Sequence, residues 1–516
     1  MIKFIFTCLS RYFFLKAISI NLTKKEKDDF KDLNFRQNDF NNYKVIKHHI
    51  IKEDFIYNLS IPEIHNFNFL LFYQKLGGKT GIDLSKKNIF LWFKKFKNYK
   101  SLPWSEDLPS KRFINIIYSY DFICSLSNQK EVREINFILN FHIKRIFFEF
   151  YRKKIEDLSS FELVAITLIN CIKNNFNEKF VQTLRDFLNS HVDESGMHKS
   201  YNLIEHAKFI NNLNEIKSIL LFFQLKIPES LNNSILAMTS LISTYKHDDQ
   251  TLPLFNGCNN NHNNVIQNIL SKEQFLKSKN LTVLKNGIVG YKDKNKALFL
   301  DVVQPTNFPY HNDLSAGSLA FEMSADGEKI ITNCGGTEIN GKNPEYLKYS
   351  AAHSTIIINN TNISEIKEKN KNNIFPKQVV YETKSEGEKI YLIGSHNGYS
   401  KNYKKICKRK LIVNKKNYTI RGEDSIISLR SSIEKHVFHI RFHLMPELTT
   451  TLTENKKNII IKTNNNNVWV FRSNSEVMIN NSIYVKNDIA IETSQIVISG
   501  VTSSLKNKII WSLEKT

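Results

Sequence analysis

Near residue 275 the hydrophobic pattern of this 516-residue chain changes period, and that change rules out a fold of one secondary-structure class. From Ile64 to Leu270 apolar residues recur at spacings of three and four. The runs FNFLLFYQKL (67–76), NIFLWFKKF (88–96), SKRFINIIYSYDFICSL (110–126), EINFILNFHIKRIFFEFY (134–151), FELVAITLINCI (161–172), FVQTLRDFL (180–188), 203–225 and 230–245 predict successive amphipathic helices. Pro103, Pro109 and Pro228 stand at helix entries, where a missing N–H is harmless. After the Asn-rich link Asn259–Asn264 the pattern becomes short Val/Ile/Thr/Tyr runs between Asn, Gly and Lys turns, as an antiparallel sandwich requires. The expected organisation is an extension over 1–60, a helical domain over 61–275 and a β-sandwich over 276–516.

A hydrophobic share of 41% and a charged share of 24% are ordinary for a globular protein and exclude a disordered chain. The net charge of +22 fits a polyanionic partner, and it equally fits a Lys-, Asn- and Ile-rich composition with no selection on charge. Lysines are scattered and no nucleic-acid-binding module is present, so nucleic acid is not the expected partner. The six cysteines are widely spaced and form no CxxC pair. Met1–Ile20 is apolar but broken by Arg11 and Lys16 and makes a poor signal peptide. No uncharged apolar run of about 18 residues exists elsewhere, so no membrane span is expected.

The motifs HExxH, GxSxG and GxGxxG are absent, and Gly336–Lys342 mimics a phosphate loop but carries Asn343 where a hydroxyl is needed. In HVFHIRFHLMP (436–446) a strand's period of two puts Val437, His439, Arg441 and His443 on one face and Phe438, Ile440 and Phe442 on the other. The polar face is either the solvated side of a sandwich or a grip for a carboxylate or sulfate, which the planar Arg fork binds through two oxygens. His353 opens an Ile-rich strand and follows Tyr349 closely. It is either a satisfied core histidine or, with Tyr349, an acid/base pair. In the helical half, SGMHKSYN (195–202) and Tyr245-Lys246-His247-Asp248-Asp249 lie at helix ends, where a helical scaffold displays polar chemistry or simply caps its helices.

Between Asn312 and Asn360 the order is strand (Ser318–Ser324, SLAFEMS), Asp326-Gly327 turn, strand (Lys329–Asn333), Cys334-Gly335-Gly336 and AAHST (351–355). That order resembles the C-terminal domain of heparinase II/III-like polysaccharide lyases. LPWSEDLPS (102–110), SGMHKSYN, YKHDDQTLPLFNG (245–257), HNGYSKNY (396–403), RGED (421–424) and RFHLMP (441–446) extend the resemblance from about residue 60 to the end. It implies an incomplete α/α toroid followed by an antiparallel β-sandwich, and β-elimination next to a uronic acid in an anionic polysaccharide. Such a site must neutralise the carboxylate, accept the adjacent carbon's proton and protonate the departing oxygen. Carried onto this chain, Asn202 and His198 neutralise the carboxylate, Tyr245 or Tyr201 moves protons, and His247 and His353 assist. Arg441 and His443 grip or brace the sugar acid, and Lys246 and His439 are further candidate substrate-binding residues.

Relatives hold zinc at places that here look like Ser315, Asn333 and His353, too weak a donor set for that metal. Neither a metal nor another cofactor is expected. The substrate class implies the cell envelope or periplasm, while the poor match of Met1–Ile20 to a signal peptide leaves the cytoplasm as the alternative. A glycan-binding or envelope-assembly protein that kept the scaffold and lost the chemistry is the competing expectation.

Overall fold

The computed structural model describes residues 62–98, 103–259, 269, 287–304, 314–336, 338–340, 342–366, 374–431 and 434–516. The expected extension over 1–60 and most of the Asn-rich link lie outside the described residues. By contact density the chain divides into two units, 1–191 with 211–235 and 192–210 with 236–516.

The first unit is helical: α1 (Pro62–His65), α2 (Phe69–Leu76), α3 (Gly78–Phe96), α4 (Leu108–Tyr118), α5 (Tyr120–Cys124), α6 (Gln129–Phe150), α7 (Ser160–Ile172) and α8 (Glu178–His191), with parts of α9 (Leu203–Phe222) and α10 (Glu229–Thr244). Their starts follow from sequence. Asn128 caps α6 and Ser159 caps α7, each in a reciprocal capping box with Glu131 and Glu162, and Pro109 sits in the first turn of α4. Inside, the buried Arg112 guanidinium lies 4.1 Å from the Trp92 ring centroid and 4.8 Å from that of Trp104, and its Nε donates to His142 Nε2 at 3.0 Å.

The second unit is built on two eight-stranded antiparallel sheets. The first runs β1 (Ile288–Asp293), β2 (Lys296–Asp301), β3 (Phe321–Ala325), β4 (Glu328–Thr332), β10 (Val437–Leu444), β15 (Ile489–Val501) and β14 (Val477–Lys486), with β5 (Ile356–Ile358) also paired to β10. The second runs β11 (Thr449–Leu452), β12 (Asn458–Lys462), β13 (Val468–Ser473), β16 (Lys506–Lys515), β9 (Ile420–Ser428), β8 (Lys405–Asn414), β7 (Lys389–His396) and β6 (Val379–Glu386). A short helix α11 (Ser400–Tyr403) precedes β8. One continuous core draws on both sheets, with Phe321, Phe442 and Phe471 around Trp511 at centroid distances of 5.5, 4.9 and 5.7 Å.

Two features pin this core. Arg409 and Asp424, both fully buried, pair through two bonds of 2.7 and 3.0 Å, and Trp511 Nε1 donates to the same carboxylate at 2.9 Å. Gly422 lies so close to Trp511 that an added Cβ would stand 2.0 Å from the indole. Gly422→Ala is therefore expected to destabilise the protein by about 1–3 kcal/mol through overpacking. The urea midpoint measures it, and an unchanged midpoint would show that the indole can move aside.

Core residues alternate along β2 (Leu298, Leu300), β3 (Phe321, Met323) and β10 (Phe438, Ile440, Phe442). The intervening positions, Phe299, Glu322, Ser324, His439, Arg441 and His443, therefore share the sheet's opposite face. That face, with the segments at 192–202 and 245–258 held to it, positions the candidate site.

Candidate active site

Segment 192–202 is a tight turn that ends by capping α9. Asp193 Oδ1 accepts the Ser195 and Met197 amides at 2.9 Å each. The His198 amide donates to His206 Nδ1 at 3.1 Å, and His206 Nε2 donates to the Met238 carbonyl at 2.8 Å, so burial leaves His206 neutral, pushed down to about 4. The His198 ring itself bonds Ser200 Oγ through Nδ1 at 2.8 Å. Asn202 is the α9 cap, its Oδ1 accepting the Ile204 and Glu205 amides at 2.9 and 3.3 Å. Between them Tyr201 occupies the left-handed region at φ 51°, which few non-glycine residues adopt. Its ring rests where Gly287 leaves room for it, 2.7 Å from where a Cβ would stand. Its hydroxyl donates to Asp193 Oδ2 at 3.3 Å, and burial, reinforced by that carboxylate, pushes the phenol up to about 12.

At the end of α10, Tyr245 is buried with its hydroxyl on the Ile288 carbonyl at 2.9 Å, and burial holds the phenol above its ordinary value. Lys246 is 8% exposed. His247 packs its ring against Phe299 at 4.9 Å, with Nδ1 against Ser324 Oγ at 2.9 Å and Nε2 against Glu322 Oε2 at 3.1 Å. Glu322 is the hub. It also accepts from Lys329 Nζ at 2.9 Å, the Leu254 amide at 3.0 Å, and the Asn333 amide and Nδ2 at 3.2 and 2.9 Å. Burial acts to raise this carboxyl, yet Lys329 and His247 outweigh it and hold it at about 2.

The relay continues to His353. Asn333 Oδ1 accepts the Ser354 amide at 2.8 Å, Ser354 Oγ donates to the Thr332 carbonyl at 2.6 Å, and Arg409 Nη1 donates to the Ser354 carbonyl at 2.6 Å. With its neighbour clamped this way, His353 is 3% exposed, yet neither ring nitrogen has a hydrogen-bond partner among the described residues. Burial pushes it down to about 4. On β10, His443 Nδ1 meets Ser482 Oγ at 2.7 Å, and burial, with His353 and Arg441 nearby, pushes this imidazole down to about 3. Arg441 donates from Nη1 to Gln495 Oε1 at 3.0 Å and keeps a buried Nε without a partner among the described residues. His439, the least buried of the three, bonds Ser499 Oγ at 2.8 Å.

Most of the expected residues therefore lie in one unit and on one sheet face. Tyr201, Tyr245 and Asp193 are close enough to perturb one another, His353, Arg441 and His443 form a second group, and the His247–Glu322–Asn333–Ser354 chain of hydrogen bonds links the two segments that carry them. Tyr349 is half-buried, and no hydrogen bond joins its phenol to His353, whose ring nitrogens have no partner. The residues the sequence left out are Glu322, Lys329 and His206. Glu322 was visible as a lone carboxylate alternating with Phe321 and Met323 in SLAFEMS. The set Ser315, Asn333 and His353 does not suit zinc, since the Asn333 amide is engaged at both ends by Glu322 and Ser354. Among the described residues, no three of His, Cys, Asp and Glu gather as metal ligands, and no helix is long and apolar enough to cross a membrane.

The buried histidines set an acid limit on stability. His206, His247 and His353 are depressed to about 4, and His142, His396 and His443 to about 3. The unfolded chain binds these protons near pH 6.5, so stability is full above that value and declines as pH falls towards 4, by about 1.4 kcal/mol per pH unit for each group. Asp301, raised by burial to about 7, works in the opposite sense and offsets roughly one histidine. The melting temperature is expected to drop steeply between pH 6.5 and 5, and a flat profile would mean the folded state takes up these protons.

Comparison with known proteins agrees with this architecture. Residues 277–512 match the family model described as heparinase II/III-like, C-terminal. The heparan sulfate lyase HepC from Pedobacter heparinus superposes with a TM-score of 0.63 at 13% identity, over 98% of this chain and 87% of that one. A heparinase III structure gives 0.71 at 14% identity, over 88% and 77%. The shared fold is a helical toroid followed by an antiparallel β-sandwich. No curated protein sequence matches the chain.

Proposed function

We propose that this chain, whose residues 277–512 match the heparinase II/III-like C-terminal family model, is a polysaccharide lyase that cleaves an anionic, uronate-containing glycan by β-elimination. The observation that carries the reading is the gathering of His353 and Arg441 around His443 on one sheet face, with both His353 nitrogens and Arg441 Nε lacking a hydrogen-bond partner among the described residues. Buried polar atoms normally have partners, so two such groups on one sheet face mark it as a polar site and not as ordinary packed core.

In the reaction, Arg441 and the Asn202 amide bind the uronate carboxylate, with His198 and His443 beside them, and so stabilise the negative charge that develops as the adjacent C–H bond breaks. His353, kept neutral by burial, accepts that proton. The electron pair forms the C=C bond as the glycosidic C–O bond breaks, and a phenol of Tyr245 or Tyr201, both kept protonated by burial, supplies the proton to the departing oxygen. His247 acts through Glu322 to hold the Tyr245 segment. The substrate class points to the cell envelope or periplasm as the place of work.

The test is incubation with a panel of uronate-containing polysaccharides, following the ultraviolet absorbance of the unsaturated uronate product. Growth of that band with at least one glycan is expected. Folded protein that produces none from any member of the panel overturns the reading.

A further inference from the structure

Two lysines beside Tyr245 have no role in the chemistry above. Lys292, on β1, sends its Nζ to the Ser243 carbonyl at 3.2 Å, in the last turn of α10. Lys246 lies two residues past that same helix end, is 8% exposed overall and has no hydrogen-bond or ion-pair partner among the described residues. A cation at a helix C-terminus is favoured by the helix dipole, which accounts for Lys292 alone. It does not account for a second, half-buried ammonium near the first. Asp248, the acid that acts on Lys292, has its Oδ2 on the Gly327 amide. Lys292 is depressed to about 8, by burial first and by Lys246 second, as two like charges sharing a site must be.

We propose that Lys246 and Lys292 form an anion subsite that takes a second acidic substituent of the glycan, on a sugar next to the uronate that reacts. An anion between the two ammonium groups relieves their repulsion and completes the coordination of Lys246. The subsite deepens the lyase reading and rests on it. The acid is either a carboxylate on the neighbouring sugar or a sulfate ester there, since both offer oxygens to a lysine pair.

Three size-matched oligosaccharide sets distinguish these sources: carboxylate on every sugar, carboxylate on alternate sugars only, and carboxylate on alternate sugars with sulfate on those between. Wild-type protein is expected to favour at least one fully charged set over the half-charged one by about tenfold or more in kcat/KM, and whichever set is favoured identifies the group. Lys292→Met is expected to bring that ratio close to one, while Lys292→Arg retains it. A ratio unchanged in folded Lys292→Met overturns the subsite. Calorimetric Kd values for the same sets separate the two readings. If no glycan is cleaved, the lyase reading falls alone, and the subsite stands or falls on whether Lys292→Met weakens binding of the fully charged set. Wild-type protein that binds no set overturns the subsite as well.

Discussion

Glu322→Ala is expected to cost about 3–5 kcal/mol of stability, because it leaves Lys329 as an uncompensated buried charge. Both side chains are 0% exposed and 2.9 Å apart. The same carboxylate accepts the Leu254 and Asn333 amides and faces His247, so its removal also strands backbone donors that have no route to water. The urea midpoint should fall sharply. Replacing the pair together, as Glu322→Leu with Lys329→Met, should recover much of the loss, because a buried ion pair and an apolar pair of similar volume are often close in stability. A single variant as stable as the wild type would mean that solvent reaches the hub. The functional consequence is separate. Because Glu322 ties the Tyr245–Leu254 segment to the sheet, even the rescued double variant should lose the proposed lyase activity.

That hub explains which parts of the molecule were legible in the sequence. Helices and strands were, because burial imposes a period of 3.6 on one and of two on the other. The run FELVAITLINCI (161–172) became α7 at Ser160–Ile172, and HVFHIRFHLMP (436–446) became β10 with Phe438, Ile440 and Phe442 in the core as its alternation requires. The candidate site was legible as residue types near chain breaks, and its wiring was not. Asn202 reads the same in sequence whether it binds a carboxylate or caps α9, and its Oδ1 caps α9. Closeness in sequence made Tyr349 and His353 look like a pair, whereas the extended backbone at both residues carries no bond between their side chains. The contacts that matter most, Glu322 with His247 and Asn333 with Ser354, join residues far apart in the chain, where no local pattern shows them.

His353→Ala is expected to lower kcat by about 10²–10⁴, the range for loss of a positioned proton acceptor. A histidine that served only to fill the core would act on stability instead, through the cavity its removal leaves, and would spare kcat in the protein that remained folded. The two roles therefore separate in a measurement of kcat against the urea midpoint. His353→Gln sharpens the contrast, since it keeps polar atoms and much of the volume while removing a basic nitrogen, so it should keep more stability than the alanine variant and still lose kcat. The pH profile supplies a second readout. With His353 pushed down to about 4 by burial, the proton acceptor is already free at pH 6, and kcat/KM should not fall with an apparent pKa of 6.5 on the acid side. Any acid loss should instead track the unfolding expected between pH 6.5 and 5. An acid limb at 6.5 in protein that remains folded would mean that His353 titrates as if exposed, or that another group, His198 first among them, accepts the proton.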